Sequence, residues 1–199
     1  MSQLVTRLIL AASLMTGMAA YAAPDVSPAN MPAGSYVLEK THASINARVQ
    51  HQGYSFYQFR FDKFDASYEY DPKDPTASKV VVTVDTKSMN TGYAVANEKF
   101  PVEFLAADKY PTATFKSNKI TISQGNKGTM AGDLTLGGVT KPVTLDVTFN
   151  GAGKDMMGAM RSGFSASTTI KRSEFGLTKY VPVIGDDVAL AIEVEFVKK

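Results

Sequence analysis

The chain has 199 residues, with 21 basic and 19 acidic side chains, a formal net charge of +2 and no cysteine. This near balance of charge lacks the strongly basic character typical of nucleic-acid-binding proteins, and the lack of cysteine excludes disulfides and thiolate chemistry. A chain of this length therefore depends on an apolar core, which one domain can supply.

Residues 1–22 have the three parts of a secretory signal peptide. Arg7 supplies the basic region, residues 8–18 form an apolar stretch, and Ala20-Tyr21-Ala22 is a cleavage site of small residues. The apolar stretch is shorter than the roughly 20 residues that a membrane-spanning helix needs. We therefore expect cleavage after Ala22 and a periplasmic location for the remaining chain.

Residues 23–34 are rich in Pro, Ala and Ser and have no periodic apolar pattern, which predicts a flexible N-terminal lead-in before a domain at residues 35–199. Within that domain, apolar and polar residues alternate with a period of two, as is typical of β-strands with one buried face. The alternation is clearest over four segments, at residues 44–49, 80–84, 143–149 and 188–196.

Turn residues separate these strands. The segments at 71–75 and 125–128 combine Asp, Pro, Asn and Gly, which favour turns. Gly137-Gly138 predicts a two-residue hairpin loop, because glycine readily adopts the positive φ values that such loops need. Pro142 follows in the next strand and cannot donate a ladder hydrogen bond, so we expect it at an edge or a bulge.

The alternation stops between Thr91 and Asp108, where residues 94–108 predict one or two short helical turns interrupted by Pro101. The rest of the domain predicts about eight or more antiparallel strands. Such strands bury their apolar faces by closing into a barrel or by stacking as a sandwich, and periodicity does not distinguish the two.

Four segments resemble the YceI-like family of periplasmic polyisoprenoid-binding proteins, and the resemblance runs from about Tyr36 to Val197. The segments, in family order, are HASINARVQHQGYS, NEKFPVEFLAADKYPTATFKS, GDLTLGGVTKPVTLDV and GFSASTTIKRSEFG. The resemblance implies an all-β fold, a lipocalin-like antiparallel β-barrel of about eight strands with one or two short helices. It also implies that the interior holds an isoprenoid lipid, such as a polyprenyl or quinone tail.

An eight-stranded barrel is just wide enough for one slender ligand, although small barrels are often filled by their own side chains. Phe59 replaces a glycine that the family usually has nearby, and would reshape the cavity if it points inward. Tyr54, Phe56 and Tyr57 suit either core packing or an access gate. By alternation, we expect the ligand-binding residues to be Ile45, Val49, Phe61, Val82, Phe115, Leu134, Leu136, Leu145, Val147, Phe164 and Ile192.

Three polar residues are candidates for contact with a lipid head group: His42, His51 and Arg172. The two histidines are nine positions apart, which places them on opposite faces of an unbroken strand and argues against a zinc pair, so we predict no metal. They either bond locally at strand ends or contact a polar head group. Arg172 suits a phosphate oxygen, or is a solvated residue near a turn. Asp186-Asp187 lacks the spacing of a calcium loop.

We therefore expect a periplasmic binding protein, without cofactor or catalysis, that holds an isoprenoid lipid for transport, storage or a stress response. We expect a monomer or homodimer with transient contact to a membrane or a membrane cytochrome. One alternative is a lipid-modifying enzyme with His51 as its base, although no serine lies in a nucleophile motif. A second alternative is a solid-core interaction module for a membrane partner.

Overall fold

The computed structural model describes residues 23–199, and the expected signal peptide lies outside this range. No helix within the described range is long and apolar enough to cross a membrane. The strands and the α-helix follow in the order β1 (Gly34–His51), β2 (Ser55–Phe61), β3 (Phe64–Tyr70), β4 (Lys79–Asp85), β5 (Met89–Asn90), α1 (Ala94–Leu105), β6 (Thr112–Ile122), β7 (Lys127–Leu136), β8 (Val139–Lys154), β9 (Met160–Lys171) and β10 (Ile184–Lys198).

Eight strands form a closed antiparallel ring, which confirms the expected barrel and excludes the sandwich. Around the ring the order is β1, β3, β4, β6, β7, β8, β9 and β10, and β10 pairs back with β1. The long strand β1 has two partners on its other side, because residues 34–37 pair with β3 and residues 45–51 pair with β2. Strand β2 extends the sheet to the short strand β5.

The hairpin between β7 and β8 forms as the sequence predicts. Gly137 and Gly138 have φ values of +58° and +79°, and Leu136 lies opposite Val139. Pro142 pairs with Asp133 of β7, at a part of β8 that lies before its pairing with β9 begins. The expected edge position of this proline is therefore confirmed, because no neighbouring strand needs its missing N–H there.

Helix α1 corrects the prediction of short, interrupted turns. It is one continuous helix of 12 residues with Pro101 inside it. Although proline removes one helical hydrogen bond, Ala96, Pro101 and Leu105 are buried, and tertiary packing of this kind outweighs local propensity. Ala106 ends the helix in the left-handed conformation, and the Ala107 N–H donates to the Pro101 carbonyl at 3.0 Å.

The expected N-terminal lead-in packs against one end of the barrel. Asp25 and Ala152 exchange two backbone hydrogen bonds of 2.8 Å, which fasten the segment to β8. The Tyr36 hydroxyl donates to the Pro32 carbonyl at 2.7 Å, and Met31 is only 2% exposed. This segment therefore contributes to the core although its sequence has no periodic pattern.

The same end of the barrel is filled by aromatic side chains. The rings of Tyr36 and Tyr68 stack at 4.9 Å, and the Tyr68 ring also meets Phe196 edge-on at 4.9 Å. Phe149 and Phe164 pack beside them at 5.2 Å. We call this the N-terminal end, and call the opposite end the helix end, where the β1–β2 turn, α1 and the β9–β10 loop lie. Solid packing of the expected kind thus occurs in one part of the barrel.

Candidate functional site: the barrel cavity

The barrel encloses a cavity of about 420 Å³ whose wall is almost entirely apolar. All eight strands of the closed ring contribute to the wall. This volume lies within the range of about 300–1,000 Å³ that is typical of small-molecule sites in proteins. The cavity is therefore large enough to be a binding site and offers a ligand mainly hydrophobic contact.

The structure places all eleven residues expected to bind the ligand in the wall of this cavity. Alternation succeeded because every second side chain of a barrel strand points inward. Phe59 also lines the cavity and occupies part of its space. That these residues bind a ligand remains a prediction. The eleven are Ile45, Val49, Phe61, Val82, Phe115, Leu134, Leu136, Leu145, Val147, Phe164 and Ile192.

Several wall residues that alternation did not predict lie outside regular strands. Phe100 and Phe104 reach the cavity from α1, and Pro28 and Met31 reach it from the N-terminal segment. The spacing of Phe100 and Phe104, four residues apart, places both on one face of a helix and was a usable signal. The N-terminal segment carried no such signal.

A row of aromatic rings crosses the helix end. The ring centroids are 6.4 Å apart for His51 and Tyr57, 5.9 Å for Tyr57 and Phe100, 5.1 Å for Phe100 and Phe104, and 6.1 Å for Phe104 and Tyr180. We call these five residues the aromatic rim. The first four line the cavity, whereas Tyr180 is 57% exposed. The rim therefore joins the cavity wall to the outer surface.

Further apolar side chains are exposed beside the rim. Tyr54 in the β1–β2 turn is 86% exposed, and Val183 in the β9–β10 loop is more than half exposed. The Gln52 N–H donates to the Val183 carbonyl at 3.0 Å, so the turn and the loop are neighbours. Exposed apolar side chains grouped in this way are a common feature of surfaces that contact lipid or protein. Of the aromatic residues considered earlier, Tyr57 thus belongs to the wall and Tyr54 to the surface.

Arg172 is buried in the cavity wall at the helix end, with 6% of its surface exposed. Its guanidinium donates to the carbonyls of Leu177, Ile184 and Gly185, each at 2.8 Å. Burial lowers the pKa of Arg172, and the negative charge of Asp186 opposes that shift. The expectation of a solvated residue near a turn was wrong, because these carbonyls replace water around the guanidinium.

The two histidines lie on opposite sides of the barrel wall, as their spacing predicts. His51 lines the cavity near Arg172, since it lies opposite Ile184 in the pairing of β1 with β10. His42 lies on the outer surface, where its Nδ1 contacts Glu39 and Thr41. His42 is therefore not at the mouth of the barrel, and the head-group prediction has no geometric support there.

An ion-pair network on the outer surface includes a group with metal-ligand chemistry. Ligand atoms of Glu39, His42 and Glu195 lie within 4.8 Å of one another. Arg161 already bonds to Glu39 at 3.3 Å, to Glu195 at 3.0 Å and to Asp155 at 2.6 Å. Hydrogen bonds from His42, Thr41 and Arg161 lower the pKa of Glu39 to about 2. The network thus joins β1, β9 and β10 on the outer surface, with three carboxylates around one guanidinium.

Comparison with known sequences gives one family. The YceI-like domain matches residues 36–196. A UPF0312 protein of Vibrio cholerae is 43% identical over 148 residues, which cover 73% of this chain and 78% of that protein. A UPF0312 protein of Pseudomonas aeruginosa is 38% identical over 170 residues, which cover 84% of this chain and 88% of that protein.

Comparison with solved structures gives the same barrel. BcnA of Burkholderia cenocepacia aligns with a TM-score of 0.72 and 26% identity, over 79% of this chain and 98% of that one. The YCEI protein of Campylobacter jejuni aligns with a TM-score of 0.67 and 33% identity, over 75% of this chain and 90% of that one. A polyisoprenoid binding domain from Saccharophagus degradans aligns with a TM-score of 0.61, over 82% of this chain and 98% of that one. At 17% identity, this similarity shows the fold alone.

Proposed function

Since this chain belongs to the YceI-like family and its barrel encloses an apolar cavity, we propose that it binds the tail of an isoprenoid lipid non-covalently inside the barrel. The observation that carries the proposal is the cavity of about 420 Å³ with its almost entirely apolar wall. The Saccharophagus degradans domain of the same fold is described as polyisoprenoid binding, which supports this ligand class. The tail belongs to a polyprenyl lipid or a quinone.

The shape and chemistry of the cavity favour a single, slender, apolar chain. An eight-stranded barrel is just wide enough for one such slender ligand. Each CH₂ group that leaves water contributes about 0.8 kcal/mol, so a hydrocarbon tail gains affinity along its whole length. The aromatic rings in the wall add contact with the double bonds and methyl branches of a prenyl chain.

The proposed role is reversible carriage in the periplasm, for transport or storage. Export is supported by the sequence of residues 1–22, which has the features of a signal peptide. Transient contact with a membrane is supported by the exposed Tyr54, Tyr180 and Val183 beside the aromatic rim. Tyrosine favours the interface between lipid and water, so this end of the barrel suits contact with a bilayer. A prenyl tail would then pass into the cavity with little exposure to water.

The geometry around His51 favours binding over catalysis. A lipid-modifying enzyme needs a base at the cavity, and His51 is the histidine placed there. The His51 ring lies 6.4 Å from the Tyr57 ring, which is a packing contact within the aromatic rim. Such packing holds the ring in the wall, and within residues 23–199 no carboxylate bonds to the ring to orient it as a base.

The test is to purify the exported protein without detergent, extract it with organic solvent and identify the lipids by mass spectrometry. We expect an isoprenoid lipid in near-stoichiometric amount, and rebinding of a prenyl alcohol by the stripped protein. A folded protein that neither carries nor rebinds such a lipid would refute the proposal. Products formed by the wild type but not by His51→Ala would instead favour the enzyme.

A further inference from the structure

The cavity wall contains a buried cation that binding of an apolar tail does not explain. Arg172 is 6% exposed, and burial of a guanidinium costs free energy unless a counter-charge compensates it. Within residues 23–199, no carboxylate oxygen lies within 4.0 Å of its nitrogens, and its hydrogen-bond partners are three neutral carbonyls. The helix end of the cavity therefore carries a positive charge without an ion-pair partner.

The hydrogen bonds of Arg172 leave part of its donor capacity free. A guanidinium has five N–H groups, and here Nε, Nη1 and Nη2 each donate once to a backbone carbonyl. One N–H therefore remains on each of the two terminal nitrogens. Two such donors on one rigid group match a ligand that presents two oxygens, such as a phosphate or a carboxylate.

The acidic residues nearest in sequence are engaged elsewhere. Asp186 accepts hydrogen bonds from the Ser173 N–H at 2.8 Å and the Ser173 hydroxyl at 2.7 Å, one on each carboxylate oxygen. Asp187 pairs with Lys171 at 2.7 Å. Neither carboxylate therefore occupies the free donors of Arg172, although the charge of Asp186 acts on the guanidinium through space.

We propose that Arg172 binds the polar end of the ligand and that the protein prefers single-chain lipids with an oxyanion head, a phosphate or a carboxylate. This inference rests on the proposed function, because the apolar cavity supplies the site for the tail. It also narrows that function, since a neutral quinone or alcohol gains no charge-assisted hydrogen bond from Arg172. The lipid then lies with its head at the helix end and its tail toward the N-terminal end.

The test compares ligands with one tail and different heads. Geranylgeraniol, geranylgeranyl phosphate and geranylgeranoic acid are titrated against the wild type and Arg172→Gln at fixed salt and pH. A charge-assisted hydrogen bond predicts that the wild type binds the phosphate at least about tenfold more tightly than the alcohol. Arg172→Gln should lose this preference, so that its ratio of phosphate to alcohol affinity falls toward one. If the acid also binds more tightly than the alcohol, the preference is for oxyanion heads in general. If the phosphate alone does so, the preference is for phosphate heads.

Lys171→Gln is the matched control. It removes the same charge from the adjacent, solvent-exposed position, and Lys171 does not line the cavity. We expect the preference for the phosphate to persist in this variant. An equal loss in Lys171→Gln and Arg172→Gln would show that the preference comes from general surface charge, and would overturn the assignment to Arg172.

A second variant tests the inference if Arg172→Gln does not fold, because Arg172 also holds three loop carbonyls. Asp186→Asn keeps Arg172 and removes the negative charge that acts on it. The ratio of phosphate to alcohol affinity should then rise above that of the wild type. A ratio near one in the wild type overturns this inference alone, provided that the alcohol binds. Failure of all three lipids to bind the folded wild type overturns the proposed function itself.

Discussion

Ala47 offers a position at which the cavity can be partly filled without changing the sheet. It lies in β1 between the wall residues Ile45 and Val49, is 4% exposed and lines the cavity. In the Ala47→Phe variant the new ring enters the space of about 420 Å³. Ala47 also packs in a buried cluster with Ala113 and Leu136, so the ring costs up to the roughly 1–3 kcal/mol of stability that is typical of overpacking.

The size of the effect follows from the number of ligand carbons displaced. A phenyl ring adds six carbons and so takes the place of about one five-carbon isoprene unit. At about 0.8 kcal/mol for each CH₂ group, the loss of binding free energy is at most about 4 kcal/mol, or about a thousandfold in Kd. A tail that bends around the ring loses less, so we expect a loss between about tenfold and a thousandfold.

The effect should depend on tail length. Residues that line the cavity on β6 run from Ala113 to Ile122, which at about 3.3 Å per residue and a tilt of about 40° is at most about 23 Å along the barrel axis. Aromatic side chains occupy part of that length at the N-terminal end. An extended isoprene unit with four bonds of about 1.5 Å spans about 5 Å, so the cavity holds at most about four units. The C20 alcohol should therefore lose much more affinity in Ala47→Phe than the C10 alcohol.

The assay is displacement of a fluorescent prenyl probe by each alcohol, with urea unfolding to show that the variant is folded. Ala191→Phe is the control, because Ala191 lies opposite Asn46 on an exposed position of β10 and does not line the cavity. We expect this control to bind both alcohols as the wild type does. Wild-type affinity of folded Ala47→Phe for the C20 alcohol would show that the tail does not bind in the cavity.

Two further predictions concern stability, both measured by urea unfolding. Gly138 and Gly92 both have a φ of +79°, but a Cβ at Gly138 would overlap the Tyr110 ring whereas one at Gly92 meets no atom within 4 Å. Gly138→Ala should thus lose at least about 1 kcal/mol more than Gly92→Ala, and equal losses would contradict the overlap. The pKa of Glu39 falls from 4.5 to about 2 on folding. Its contribution to the free energy of unfolding is therefore complete above pH 4.5 and is lost as the pH falls toward 2. Arg161 is also the main cause of the lowered pKa of Asp155, so Arg161→Met should make the acid loss shallower, and an unchanged slope would contradict a role for the ion-pair network.

The strands and the cavity wall were predictable because side-chain direction in a barrel is a local property. Once Val147 is assigned to the inner face of a strand, Leu145 follows from the period of two, and no distant contact is needed. The closure of the ring was harder to predict from the sequence, since it depends on the pairing of β1 with β10, which are far apart in the chain. The resemblance to a family of barrels supplied that part.

The helix, the N-terminal segment and Arg172 were not predictable because distant parts of the chain determine them. Pro101 predicted an interrupted helix, but burial of this residue keeps α1 continuous. Met31 lies in a segment without apolar periodicity, yet it is buried beside the tyrosines of β1 and β3. Arg172 is buried because carbonyls at residues 177, 184 and 185 surround its guanidinium, and their positions depend on the course of the β9–β10 loop.

A carrier of this kind has to compete with the membrane, not with water. The interior of a bilayer is about as apolar as the cavity wall, so transfer of a prenyl tail from membrane to barrel changes the free energy little. On the proposed function, the polar head then decides the balance, because it exchanges water and lipid neighbours for Arg172 and the rim. Tyr54 and Tyr180 are exposed at this same end, so the proposal places head-group binding and membrane contact together there. Neither step requires the closed ring of eight strands to open.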